Sequence, residues 1–142
     1  GSDLNARSSM MSAALMGAIA FQKGLGAFHA LSHPIGAIYN THHGLTNAVL
    51  LPHVLRANRE AIDDRINALS NYLEIENGFD GFLYFVDSLN ATLNVPRGLK
   101  ELGVITRDFD QIIDGALKDP SKSGNPIELN IQNLRKILNT AL

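Results

Sequence analysis

The chain has 142 residues, a formal net charge of −2 with its five histidines neutral, and no cysteine. With 45% hydrophobic and 18% charged residues it has the composition of one folded domain, and a chain of this size can bury about 70% of its unfolded surface. The missing cysteine excludes disulfides and thiolate metal sites and fits a reducing, cytoplasmic setting, and the lack of basic excess argues against nucleic acid as a partner.

Gly1-Ser2 reads as a cloning remnant. A helix is predicted from Ser8 to about Phe28, broken near Gly24-Leu25-Gly26. Its apolar run MMSAALMGAIAF (10–21) has the length of a secretory h-region. It is too short to cross a bilayer, which takes about 20 apolar residues, so no membrane partner is expected. Its Ala, Ser and Gly instead predict a buried helix that admits a close neighbour. Helical pattern continues over Ala27–Ser32 and meets Pro34, which disfavours the helical conformation at His33.

From Gly44 a further helix carries Leu45, Ala48, Val49, Leu51 and Leu55, with Pro52 inside the pattern as a potential kink. Residues 59–75 place Ile62, Ile66, Leu69, Tyr72 and Leu73 on one face at helical spacing. Another helix spans 79–93 and is closed by Asn94-Val95-Pro96; a short one covers 97–102. Thr106 has the chemistry of an N-cap for a helix over Asp108–Lys118. A loop follows over 119–126, and Asn130 caps a last helix at 131–140. No stretch alternates with period two. The chain reads as one all-α domain over 1–142, a bundle of about seven helices.

All five histidines lie between positions 29 and 53. His29 and His33 are four apart, the helical spacing that can turn two imidazoles onto one metal ion. His42 and His43 are adjacent, so at most one of them can aim at the same point, and His53 falls further along the next helix. A histidine acting as a base without metal would need an oriented carboxylate. There is no Asp or Glu between Asp3 and Glu60, so any such carboxylate comes from elsewhere in the fold or from another polypeptide. Gly24-Leu25-Gly26 follows a helix, the wrong context for a phosphate loop.

The run GLGAFHALSHPIGAIYNTHHGLTNAVLLPHVLRAN (24–58) resembles the C-terminal domain of the iron-containing alcohol dehydrogenases. It has that family's His, three residues, His-Pro-hydrophobic-Gly, and a further His-Gly ten residues on. The upstream SAALMGAIAFQKGLG and the tail DPSKSGNPIELNIQNLRKILNTAL resemble the family's flanking segments. The resemblance implies the helical half of a dehydroquinate synthase-like fold. It implies that His29 and His43 are ligands of one Fe²⁺ or Zn²⁺ ion. His33 would lie near the nicotinamide and substrate, positioning them or relaying a proton. In place of the His29–His33 pair that spacing suggests, the family pairs His29 with His43. His42 stands where most members have Pro and receives no role. His53 is read as structural.

The family's two other metal ligands, spaced D-x-x-x-H, have no counterpart here, and a Gly-rich dinucleotide loop is also missing. The chain is therefore expected to be the C-terminal fragment of a two-domain enzyme, ending near the native C-terminus and inactive alone. The complete enzyme implied by the resemblance interconverts small alcohols with aldehydes or ketones by hydride transfer with NAD or NADP. It would need an N-terminal nucleotide-binding domain as partner and form a homo-oligomer. Two other readings stand beside it: a free-standing helical binding or assembly module of the same fold, and a maleylacetate reductase or glycerol dehydrogenase relative.

Overall fold

Asp3 starts the first helix. Its Oδ1 accepts hydrogen bonds from the amides of Asn5 (2.9 Å) and Ala6 (3.0 Å), filling two donors that a helix start leaves open. The structure, a computed structural model, describes residues 1–142. Six α-helices follow one another: α1 (Leu4–Phe21), α2 (Ala27–Tyr39), α3 (His43–Tyr72), α4 (Gly78–Thr92), α5 (Phe109–Lys118) and α6 (Ile131–Ala141). Single 3₁₀ turns occupy Leu99–Leu102, Thr106–Asp108 and Pro120–Gly124. The all-α reading holds, with six α-helices where about seven were expected.

The expected burial of the first helix is overturned. No residue of α1 is buried, and Leu4, Met10, Met11, Leu15, Met16, Ile19 and Phe21 are 56–72% exposed. The apolar residues lie round the whole axis rather than along one stripe, a pattern suited to burial on several sides. Nothing else in these 142 residues provides that cover. No helix is long and apolar enough to cross a membrane. The break falls at Gly24, whose φ of 101° is a conformation L side chains rarely adopt.

Pro34 does not end its helix, and Pro52 lies inside its own, as the pattern placed it. Pro34 lies inside α2, which runs on to Tyr39. Packing overrides the local preference: α2 lies against α5, and a Cβ added at Gly115 would come within 2.8 Å of the Pro34 ring. Pro52 lies inside α3, a single helix of 30 residues. Having no N–H, it leaves the carbonyl four residues back, that of Ala48, without its helical donor. Asn90 of α4 donates its side-chain amide to that carbonyl at 2.9 Å. A neighbouring helix thus restores the bond the proline removed.

The core is built by α2, α3, α5 and α6. Ala27, Ala30, Leu31 and Ile35 give α2 its buried stripe, at the spacing of one helical face. They meet Val49, Leu50 and Val54 of α3, Phe109, Ile112 and Ala116 of α5, and Leu134 and Leu138 of α6. Helix α4 lies along α3, from Ala48, which Asn90 reaches, to Asn67 and Ser70 near the end of α3. There the expected apolar face is only partly covered: Leu69, Tyr72 and Leu73 are exposed. Asn130 caps α6 as expected, in a reciprocal capping box with Asn133. Thr106 does not cap α5. It opens a 3₁₀ turn without a side-chain cap. That approach is fixed by Tyr39, whose hydroxyl donates to Asp108 (2.5 Å) and accepts from the Ile105 amide (3.2 Å).

Asn125 ties the tail to the two helices that carry the histidines. Its Oδ1 accepts from the first amide of α2, Ala27 (3.1 Å), and from Asn58 Nδ2 of α3 (2.9 Å). Its Nδ2 donates to Asn58 Oδ1 (2.9 Å) and to the Ile127 carbonyl (2.7 Å). All the polar capacity of one amide is used, in four hydrogen bonds to three residues.

His53 lies in the groove between α3 and α4, beside Arg56 and Asp87. Burial depresses its pKa, the Arg56 charge adds to this, and Asp87 opposes it.

Asn125→Ala leaves the Ala27 amide and the buried Asn58 amide without partners, so a loss of about 2–4 kcal/mol is expected, read as a lower urea midpoint. Asn125→Asp keeps the acceptor and should fall between the two. A second expectation concerns acid stability. Because the folded His53 binds its proton less readily than the ordinary imidazole value of 6.5, its effect is nil above that pH. Stability then falls as pH drops from 6.5 through the lower folded value. His53→Gln should flatten this part of the melting temperature–pH curve. An unchanged slope would remove His53 as a contributor.

Candidate functional site

Three of the five imidazoles come together where α2 passes the start of α3. His29 and His33 are one turn apart on α2, with ring centroids 6.0 Å apart. The connection Asn40–His42 then reverses the chain. Asn40 takes the left-handed conformation (φ 53°) and returns its amide to the Gly36 carbonyl. Thr46, fully buried, donates to Thr41 Oγ1 at 2.7 Å. His42 is the N-cap of α3: its Nδ1 accepts from the Leu45 amide at 3.3 Å. With its ring engaged there, the first residue of α3, His43, faces α2. Its ring lies 5.3 Å from that of His29, and 5.4 Å from that of His33 with planes 14° apart.

Asn47 sits one turn after His43 on the same face of α3. Its Nδ2 lies 3.0 Å from His43 Nε2 and 3.4 Å from His29 Nε2. A side-chain amide nitrogen only donates, so the two Nε2 atoms direct lone pairs at one point. Asn47 Oδ1 and His29 Nδ1 are buried without hydrogen-bond partners, so the polar groups here are not all compensated within the chain. Burial depresses the pKa of His29; positive charge on His43 and His33 would depress it further, while Asp119 opposes. A neutral imidazole with a free Nε2 is the form that binds a transition-metal ion.

The carboxylate expected from elsewhere in the fold is Asp119, between α5 and the third 3₁₀ turn. His33 Nδ1 and Asp119 Oδ2 are 2.7 Å apart. The Asp119 side chain is 12% exposed against 42% for His33. Its other oxygen accepts from the Ser121 amide at 2.8 Å. Burial works to raise the Asp119 pKa, but the hydrogen bonds from Ser121 and His33 outweigh it and hold the carboxyl below its ordinary value.

His29, His33 and His43 are therefore gathered, whereas His42 is occupied as a cap and His53 lies in the α3–α4 groove. Asn47 and Asp119 were not picked out from the sequence. Asn47 had a readable signal, its position four residues after His43 on a predicted helix. Asp119 had none, since 86 residues separate it from His33. No three His, Asp or Glu side chains are grouped so as to hold an ion by themselves. A protein metal shell commonly takes three or four protein ligands. The convergence of His29 Nε2 and His43 Nε2 thus fits part of a metal site.

Comparison with known proteins bears on the family and the fold. The model of the Fe-containing alcohol dehydrogenase family, C-terminal, matches residues 1–142. The chain is similar to 4-hydroxybutyrate dehydrogenase of Cupriavidus necator, with 40% identity over 100% of this chain and 39% of that protein. It is 32% identical to lactaldehyde reductase of Escherichia coli (strain K12) over 83% of this chain and 33% of that protein. Its fold is similar to the crystal structure of 1,3-propanediol oxidoreductase, at TM-score 0.78 and 31% identity, covering 83% of this chain and 33% of that one. The chain thus spans well under half the length of the curated relatives it matches. With its helical architecture and its histidine window both matched, this chain belongs to the iron-containing alcohol dehydrogenase family, in the region of that family's C-terminal domain.

Proposed function

We propose that this chain supplies the metal-binding wall of an oxidoreductase active site that interconverts alcohols and aldehydes or ketones with NAD or NADP. One observation carries the reading: His29 Nε2 and His43 Nε2 converge on a single point, the Asn47 amide. His29 and His43 would hold a divalent iron or zinc ion, for which imidazole suits either metal. When bound, the ion supplies Lewis-acid polarisation of the alcohol or carbonyl oxygen, and the nicotinamide supplies the hydride acceptor or donor.

The chain's own residues bind, orient and handle protons. His29, desolvated and flanked by His43 and His33, favours its neutral form. His33 stacks on His43 with its side chain 42% exposed, and it would position substrate and nicotinamide or move a proton. The rest of the metal shell and the dinucleotide-binding surface would come from an N-terminal domain outside these residues. The uncovered apolar helix α1 supports a larger body packed against this one, and it weighs against a free-standing module. The relatives named for 4-hydroxybutyrate, lactaldehyde and 1,3-propanediol support a short substrate carrying a second polar group.

Anaerobic titration of the 142-residue chain with Fe²⁺ and then Zn²⁺ should give weak one-to-one binding, lost in His29→Ala and in His43→Ala. Affinity unchanged in both variants would remove the ligand assignment. In the full-length enzyme, the same two variants should lose metal and activity together. His33→Ala should keep its metal while turnover falls roughly 10²-fold or more, the range of a positioned acid–base group. A metal-free His33→Ala enzyme would instead make His33 a ligand.

A further inference from the structure

We propose that Asp119 is a positioning residue that fixes the ring orientation and tautomer of His33, so that Nδ1 carries the hydrogen and Nε2 is presented bare to the site. This rests on the reading of His33 as the group that faces substrate.

The geometry divides Asp119 between two tasks. Oδ1 accepts from the Ser121 amide (2.8 Å) and Oδ2 receives the His33 Nδ1–H (2.7 Å). An ionised carboxylate only accepts, so the ring nitrogen facing it must be the protonated one. In the neutral ring the other nitrogen, Nε2, then carries the lone pair. The side chain cannot swing freely: one oxygen caps the 3₁₀ turn, and Pro120 follows directly.

The turn itself is fixed to the helices that bear the histidines. A Cβ at Gly124 would lie 1.8 Å from the Leu25 carbonyl, so the end of the turn lies against the segment leading into α2. The next residue, Asn125, binds the Ala27 amide and Asn58. His33 is held from its own side by α2, whose Pro34 packs on Gly115 of α5, the helix whose C-cap is Asp119. Donor and acceptor are thus mounted on two elements that already pack together. An orienter whose frame is set by the core, and not by a solvated side chain, holds its partner at little further entropic cost.

The test uses two substitutions. Asp119→Asn can turn its amide to donate toward His33 Nδ1, which would drive the hydrogen to Nε2. Asp119→Ser keeps a side-chain oxygen for the Ser121 amide, so the turn stays capped, but it is too short to reach His33. Imidazole nitrogen chemical shifts of the 142-residue chain report the tautomer without metal, cofactor or turnover. The expected result is an Nδ1–H ring in the parent, the opposite tautomer in Asp119→Asn, and a mixture in Asp119→Ser. In the full-length enzyme both variants should keep their metal content and KM, while kcat falls roughly tenfold or more, within the 10²–10⁴-fold supplied by a positioned acid–base group. A His33 tautomer that is the same in parent and both variants would overturn the proposal whatever the enzyme's activity. So would altered tautomers with unchanged kcat in an enzyme whose His33→Ala variant does lose turnover, or metal loss that tracks kcat. If His33→Ala leaves kcat intact while the tautomer shifts as expected, the failure lies with the reading of His33 and not with its orientation by Asp119.

Discussion

The Asn125–Asn58 amide pair is the contact on which the site's geometry depends. Histidines on two helices and a carboxylate on a distant turn can act together only if those three pieces hold one arrangement. Helix packing alone leaves some freedom of rotation and slide, because apolar contacts are not directional. Asn125 removes it. Its four hydrogen bonds fix the start of α2, the middle of α3 and the segment after the Asp119 turn in one frame. Asn58 is buried, where an amide is tolerated only when its bonding capacity is met. The pair is therefore specific in a way that a pair of leucines there would not be.

A second constraint follows from proline. Pro52 divides a helix that must run unbroken if His43 at its start and Asn58 further along are to share one rigid axis. The unpaired Ala48 carbonyl is taken by Asn90 of α4. The α3–α4 hairpin thereby does more than add surface: it restores the bond ladder of the helix that carries half of the site. Pro34 is absorbed differently, by contact with Gly115, where any side chain would collide with the ring. In both cases the local cost, about 3 kcal/mol for an interior proline, is met by a partner distant in sequence.

The site joins apolar rigidity to polar incompleteness. The faces of α2 and α3 turned to the core are satisfied and close-packed, while the faces turned to the histidine cluster leave His29 Nδ1 and Asn47 Oδ1 without partners. Helix α1 shows the same asymmetry on a larger scale, with apolar residues all round and nothing covering them. Uncompensated groups of both kinds fit the proposal that a further domain packs against this one.

The sequence by itself determined the helical class, because apolar residues recur at helical spacing and none alternate. It marked the window of chemistry, because all five histidines fall in one short stretch, and the cap of the last helix, because Asn130 needs only its local neighbours. The motif resemblance named the family that the comparisons then showed. The sequence could not show that α2 passes through Pro34, or that Asn90 takes the carbonyl Pro52 leaves open, since Gly115 and Asn90 are remote in sequence. It read α1 as buried, since composition reports what a helix prefers and not whether a partner is present. It singled out neither Asn47 nor Asp119. Which nitrogen each imidazole presents and which carboxylate faces His33 are set by side chains brought together from distant positions. Only tertiary packing decides these, because such contacts leave no periodic trace along the chain.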